Sequence, residues 1–221
     1  MTIKRVLVFF VIAACCALSI VIGLWIYHVQ ATGDIPTYSF ETSPDTPHAG
    51  YAIVAAARGQ IGKTVVYDPA YVRMTYPMGD IPIEKGVCTD VVIRALRGAL
   101  KMDLQQLMYE DVSTAYFAYP NKRRLQLPDK NIDHRRVRNL NVYFERKGFS
   151  LPISASPEKY LPGDLVTCLV GTLPHIMIVS DKKTPKGIPL VIHNIGSGAK
   201  EEDYLFVNPV TGHYRLTKTE K

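Results

Sequence analysis

The sequence predicts an α+β domain in which helices come first and an antiparallel sheet follows. Three observations predict it. Up to about residue 147 the apolar residues recur at helical spacings, and from Pro162 onward the period changes to two. The apolar runs of that second half are separated by short stretches of turn composition, which suit hairpins and not the long crossovers of a parallel sheet. At 221 residues the chain holds one well-buried domain with length left for an anchor and a linker.

At the N-terminus, Lys4 and Arg5 precede an apolar stretch from Val6 to Tyr27, long enough to span a bilayer and longer than the usual core of a signal peptide. Residues 1–30 therefore read as a signal anchor, with the basic end cytoplasmic and Trp25 and Tyr27 at the far interface. Cleavage after Val29-Gln30-Ala31 and lipidation at Cys15 are the processing alternatives. In each version the folded part is exported to the cell envelope, periplasmic or extracellular if anchored and secreted if cleaved. Residues 31–50 carry Pro36, Pro44 and Pro47 without an apolar period and read as a linker, leaving 51–221 as the domain. The net charge of +6 suits an anionic partner such as a cell-wall polymer or phospholipid headgroups. Nothing resembles a nucleic-acid-binding motif.

Tyr51–Ile61 has a helical pattern that Gly62 would stop. The proline-containing stretches around Pro69, Pro77 and Pro82 predict an ordered loop that leads into Gly86-Val87-Cys88-Thr89-Asp90, where a turn becomes a helix. From Cys88, the spacings i+3, i+4, i+7 and i+8 reach Val91, Val92, Ala95 and Leu96, so the sulfur shares the core-facing stripe. Its place in the first turn, near unsatisfied N–H groups, is expected to lower the thiol pKa. Asp103 can cap a second helix with the stripe Leu104, Leu107, Met108 and Val112, and 139–147 resembles a short third one. The clusters Lys122, Arg123, Arg124 and Arg135, Arg136, Arg138 read first as solvated faces.

Leu165–Val170 is apolar on both faces and reads as a buried strand. Pro174–Ser180 and Pro189–Ile195 follow as a hairpin around Asp181-Lys182-Lys183-Thr184-Pro185-Lys186-Gly187, and a last strand is expected near His213–Leu216. A hairpin centred on Thr184 pairs residues whose numbers sum to 368, which sets His175 opposite His193. An inward-pointing Cys88 with these two imidazoles suits a thiol nucleophile: Cys88 attacks a carbonyl, His175 holds the thiolate–imidazolium pair and protonates the leaving amine, and His193 orients His175. The Cys88 N–H is a candidate oxyanion donor. The same set could bind zinc, although Cys-x-x-Cys, His-Glu-x-x-His and calcium-loop patterns are absent and no cofactor is implied. Of the four cysteines, only Cys88 and Cys168 fall in the exported domain; a bridge between them would silence the nucleophile.

Gly86-Val87-Cys88-Thr89-Asp90, Asn131-Ile132-Asp133-His134-Arg135-Arg136, Pro174-His175-Ile176 and His193-Asn194-Ile195-Gly196 together resemble the YijF-like domain of unknown function, family 1287. More broadly, the order of motifs resembles the NlpC-type, papain-like cysteine peptidases of bacterial cell walls. That resemblance spans about Ala52 to Leu216 and implies a helix-plus-sheet core with a Cys-His-polar triad cleaving amide bonds in peptidoglycan stem peptides. Carried over, the nucleophile falls on Cys88, the base on His175 and the orienting residue on His193, with Asn194 the alternative if the register shifts by one. The expectation is an exported thiol hydrolase acting on peptidoglycan or a related wall peptide. Its rivals are a non-catalytic wall- or protein-binding domain on the same fold and a zinc-dependent hydrolase.

Overall fold

A computed structural model describes residues 46–120 and 127–216; the anchor, most of the linker and the Lys122-Arg123-Arg124 cluster lie outside the described residues. Among the described residues no helix is long and apolar enough to cross a membrane. The order is α1 (Thr46–Arg58), β1 (Val66–Tyr67), β2 (Lys85–Gly86), α2 (Cys88–Leu100), α3 (Leu104–Thr114), α4 (Val137–Arg146), then β3 (Leu165–Val170), β4 (Leu173–Lys183), β5 (Pro189–Asn194), β6 (Ala199–Glu202) and β7 (Val210–Tyr214). Helices precede an antiparallel five-stranded sheet of order β6-β5-β4-β3-β7, so the α+β class holds. β1 and β2 form a separate two-residue parallel pair.

α1 starts at Thr46, inside the stretch read as linker, and ends at Arg58. Gly62 closes the following turn with φ +77°, a conformation open to glycine without penalty. α2 buries Cys88 through Leu96 without interruption, which is why its apolar stripe widens into a nearly all-buried first half. The helix-side core joins Val91, Val92, Ala95 and Leu96 to Ile53 and Ala57 of α1, to Leu140 and Phe144 of α4, and to Leu165, Ile176, Ile178 and Ile192 of the sheet. α3 is capped as expected, Asp103 accepting from the Gln105 N–H at 3.1 Å, and Leu104, Met108 and Val112 are fully buried. The other sheet face carries Val166, Cys168, Met177, Val179 and Val191 beneath Tyr160 and Leu205.

The hairpin register differs from the expected one. Ile178 pairs with Ile192 and Val179 with Val191, so the sum is 370, while Lys183 pairs with Pro189 beyond a bulge. The turn is set by Gly187, at φ +81°, whose N–H donates to the Thr184 carbonyl; Thr184 in turn donates to Ile188 O. This moves the tip past Thr184, and the surplus β4 residues bulge at Ser180, whose hydroxyl accepts from Lys182 N–H. A slip of two preserves the faces, so His175 and His193 still lie on one side of the sheet, but diagonally and not opposite.

Candidate functional site

The loop before Cys88 is held from the helix. Arg94, 9% exposed, sends its guanidinium to both oxygens of Asp80, to Thr64 Oγ1 and to the carbonyls of Ile81, Pro82 and Lys85. All its donors are used, so residues 80–86 have one conformation to follow. Asn194 donates to the Gly86 carbonyl at 2.9 Å and ties the same loop to the end of β5. The Val87 N–H, an orphan donor at the helix start, is taken by Asp90 Oδ2 at 2.7 Å. Asp90 also receives Arg135 Nε at 2.8 Å and Nη2 at 2.9 Å, a fork with side chains 4% and 2% exposed. Arg135 is therefore a buried partner of the nucleophile helix, not part of a solvated face. Asp133 and His134 are buried beside it in a 3₁₀ turn, Asp133 accepting from the Asp129 N–H and from Asn139. Among the described residues His134 Nδ1 has no hydrogen-bond partner, and burial pushes that imidazole down to about 4.

Cys88 is a free thiol, 5% exposed, as is the buried Cys168, so no bridge joins them. The backbone N–H groups of Ile176, Thr89 and Cys88 itself lie near its sulfur. The β4–β5 ladder stops at Ile178–Ile192 although both strands run on, which leaves the Ile176 N–H beyond the last paired residues and near the sulfur. These donors favour the thiolate, yet burial outweighs them and, with Asp90 nearby, pushes the thiol up to about 11. The expectation of a lowered pKa is thus reversed: the helix start is present, but the site is too dry for it to win.

The two imidazoles are in direct contact. His175 Nε2 lies 2.7 Å from His193 Nδ1, and His193 Nε2 lies 2.9 Å from Glu202 Oε1. A carboxylate only accepts, so His193 carries its proton on Nε2 and presents Nδ1 as a lone pair. His175 must then donate from Nε2, which leaves its Nδ1 as the free basic nitrogen. Burial lowers both rings, His175 to about 3, with the neighbouring His193 adding to its shift and Glu202 partly offsetting that of His193. These directions favour neutral imidazoles and, at Cys88, a neutral thiol, and do not favour the thiolate–imidazolium pair expected from sequence. Tyr204 covers the rings, 4.9 Å from His193. Glu202 lies on β6, a strand the sequence reading did not find; alternation from His193 across a turn containing Gly196 and Gly198 is the only signal that could have found it.

The side chain that meets the His175 ring is His193 and not Asn194, which points to the helix side and holds Gly86. The rings share the face of Met177 and Val191, whereas Cys88 belongs to the helix-side core, and the sulfur meets β4 at its backbone, one residue from His175. Among the described residues no hydrogen bond joins Cys88 Sγ to either ring. Nor, among them, do three His, Cys, Asp or Glu side chains converge as a metal set, and both nitrogens of His193 are taken by His175 and Glu202. Cys88 opens onto a cavity of about 470 Å³ walled by Tyr67, Pro69, Ile132, the 135–139 segment and the Thr172–Pro174 turn.

The comparisons agree with the motifs that carried the sequence reading. A family model described as a domain of unknown function (DUF1287) matches residues 54–216. The chain is 54% identical over 165 residues to an uncharacterized protein, YijF, of Escherichia coli strain K12, covering 74% of this chain and 80% of that one. No solved structure matches. With a match running from α1 to the end of β7 and including Cys88, His175, His193 and Glu202, the chain belongs to the DUF1287 family.

Proposed function

We propose that this protein is an exported thiol hydrolase of the NlpC-type, papain-like superfamily, cleaving amide bonds of peptidoglycan or a related wall peptide while anchored through its N-terminal segment. The observation that carries the reading is the Glu202–His193–His175 chain, which leaves His175 Nδ1 without a partner among the described residues, on the residue next to Ile176, whose amide lies near Cys88 Sγ. A thiol held neutral by burial needs a base at the moment of attack, and a neutral imidazole with its other nitrogen already donating is such a base. His175 accepts the thiol proton as sulfur adds to the carbonyl carbon, then returns it to the departing amine. Water hydrolyses the thioester by the same exchange. His193 and Glu202 hold the tautomer and spread the positive charge that His175 acquires. The transfer requires the His175 ring to leave the sheet face it shares with Met177 and Val191 and reach Sγ on the helix side, a movement that substrate binding must bring about.

The test is incubation of the full-length protein with wall stem peptides, reading new amines and a thioester on Cys88 by mass spectrometry. Cleavage lost in Cys88→Ser and His175→Ala supports the reading; no cleavage and no adduct with any wall peptide sinks it. One observation favours a second reading, a binding module on the same fold: a sulfur 5% exposed with its pKa near 11 is chemically quiet. Peptide binding undiminished in Cys88→Ser, without turnover in the parent protein, would select it.

A further inference from the structure

The walls of the cavity over Cys88 carry a charge imbalance. Three arginines line it, Arg135, Arg136 and Arg138, and no aspartate or glutamate does. Arg135 is neutralised by Asp90 beneath the floor. Arg136 and Arg138 are exposed, and among the described residues neither has an acidic partner. Exposed arginines are usually solvated and mean little. These two differ in place, because they border the same concavity as the Cys88 thiol, between apolar walls of Tyr67, Pro69, Ile132, Val137, Leu173 and Pro174. Low-dielectric walls focus the field of fixed cations into such a cleft, and guanidinium is the group that grips a carboxylate in two-point fashion.

We propose that this cavity binds a short peptide or acyl chain bearing a carboxylate, with Arg136 and Arg138 holding the carboxylate while the chain's carbonyl faces Cys88. The proposal deepens the thiol-hydrolase reading by naming the substrate class, and it rests on Cys88 being the reacting group. A cavity of about 470 Å³ accommodates a few residues and not a polymer backbone, and its apolar wall suits the body of a peptide more than a sugar–phosphate chain.

The test uses the thiol itself and needs no turnover. Cys88 is alkylated at pH 9 in the full-length protein with iodoacetate or with iodoacetamide, and the rate is read on the Cys88 peptide by mass spectrometry, so that Cys15, Cys16 and Cys168 do not interfere. In each reaction a sulfur–carbon bond forms, iodide leaves and the thiol proton passes to solvent. Both reagents use the same thiolate, so their rate ratio cancels the thiol pKa and keeps the charge effect. The iodoacetate/iodoacetamide ratio should fall about fivefold in Arg136→Gln/Arg138→Gln, fall similarly in high salt, and be kept in Arg136→Lys/Arg138→Lys. Glutarate should slow iodoacetamide alkylation more than glutaramide does, and more than inorganic phosphate. A ratio unchanged within twofold in the Gln variant overturns the proposal, as does a Cys88 that neither reagent reaches. Phosphate protecting as well as glutarate overturns the carboxylate assignment in favour of a general anion site. Absence of peptide cleavage by the parent protein, with the ratio falling in the Gln variant as expected, would fault the hydrolase reading alone.

Discussion

The Asp90–Arg135 pair offers the sharpest test of how the nucleophile is supported. Asp90→Ala removes the partner of a guanidinium that is 2% exposed and at the same time frees the Val87 N–H at the helix start. Breaking a buried ion pair from one side costs about 3–5 kcal/mol, because the remaining charge stays desolvated, and losing a cap adds about 1 kcal/mol. Arg135 keeps only the Ala70 and Asp68 carbonyls at 3.0 and 3.3 Å, too few to replace the carboxylate. Taking about 4 kcal/mol and a urea dependence of about 2 kcal/mol per molar, the unfolding midpoint should fall by about 2 M. The assay is urea titration followed by circular dichroism, run beside Arg135→Met and the double variant. Removing both charges should cost less than the two single losses together, by about 2 kcal/mol. A single variant within about 1 kcal/mol of the parent, or strictly additive losses, would refute the argument that this charge pair is what holds the helix start against the 131–136 segment.

Other outcomes follow from the same geometry. Because burial raises the Cys88 thiol to about 11, its alkylation rate should climb about tenfold per pH unit from pH 7 toward 10; a plateau below pH 8 would show a thiolate already formed. Nitrogen-15 NMR of the imidazoles should place the His193 proton on Nε2, unchanged in Glu202→Gln, which can still accept, and mixed between nitrogens in Glu202→Ala; identical spectra in all three would remove Glu202 from the relay. Burial opposes ionisation of Asp111, but hydrogen bonds from Arg146, Lys147 and Tyr119 overcome it and hold the carboxyl down to about 2. Its contribution is therefore complete above about pH 4 and lost as pH falls toward 2, so the acid slope in that window should flatten in Asp111→Asn and would be unchanged if the cluster were merely superficial. A Cβ on Gly50 would collide with the Pro162 carbonyl oxygen, backbone against backbone, so Gly50→Ala should cost about 2–3 kcal/mol in thermal unfolding, whereas an unshifted melting point would mean that this contact readily gives way.

The elements with strong periodicity were legible. Leu165–Val170 was read with its exact bounds, Asp103 was recognised as a cap, and Cys88 was placed at a helix start facing the core. Three things escaped. The four-residue strand Ala199–Glu202 is charged along most of its length and has no apolar alternation, so its pairing with β5 is fixed by the neighbouring strand and not by its own residues. The hairpin register depended on a bulge at Ser180, where the hydroxyl also receives Arg58, a partner 122 positions away that local patterns do not reveal. The thiol's ionisation was misjudged because a helix start is visible in sequence and the depth of its burial is not: closing of the sulfur beneath β4 is a tertiary event. Arg135 went the same way, a cation in a basic run that the fold takes inside to meet Asp90.

The sulfur sits where the sheet opens, since the Ile176 amide near Cys88 lies where β4 and β5 part. A strand end beside a reactive atom feels a different charge whenever that atom changes state. A thiolate would draw the amide harder, and an acylated or oxidised sulfur would release it to the opening between the strands. The edge of the ladder thereby registers the chemical history of the nucleophile, and amide exchange at Ile176 becomes a meter for it that requires no substrate to be known.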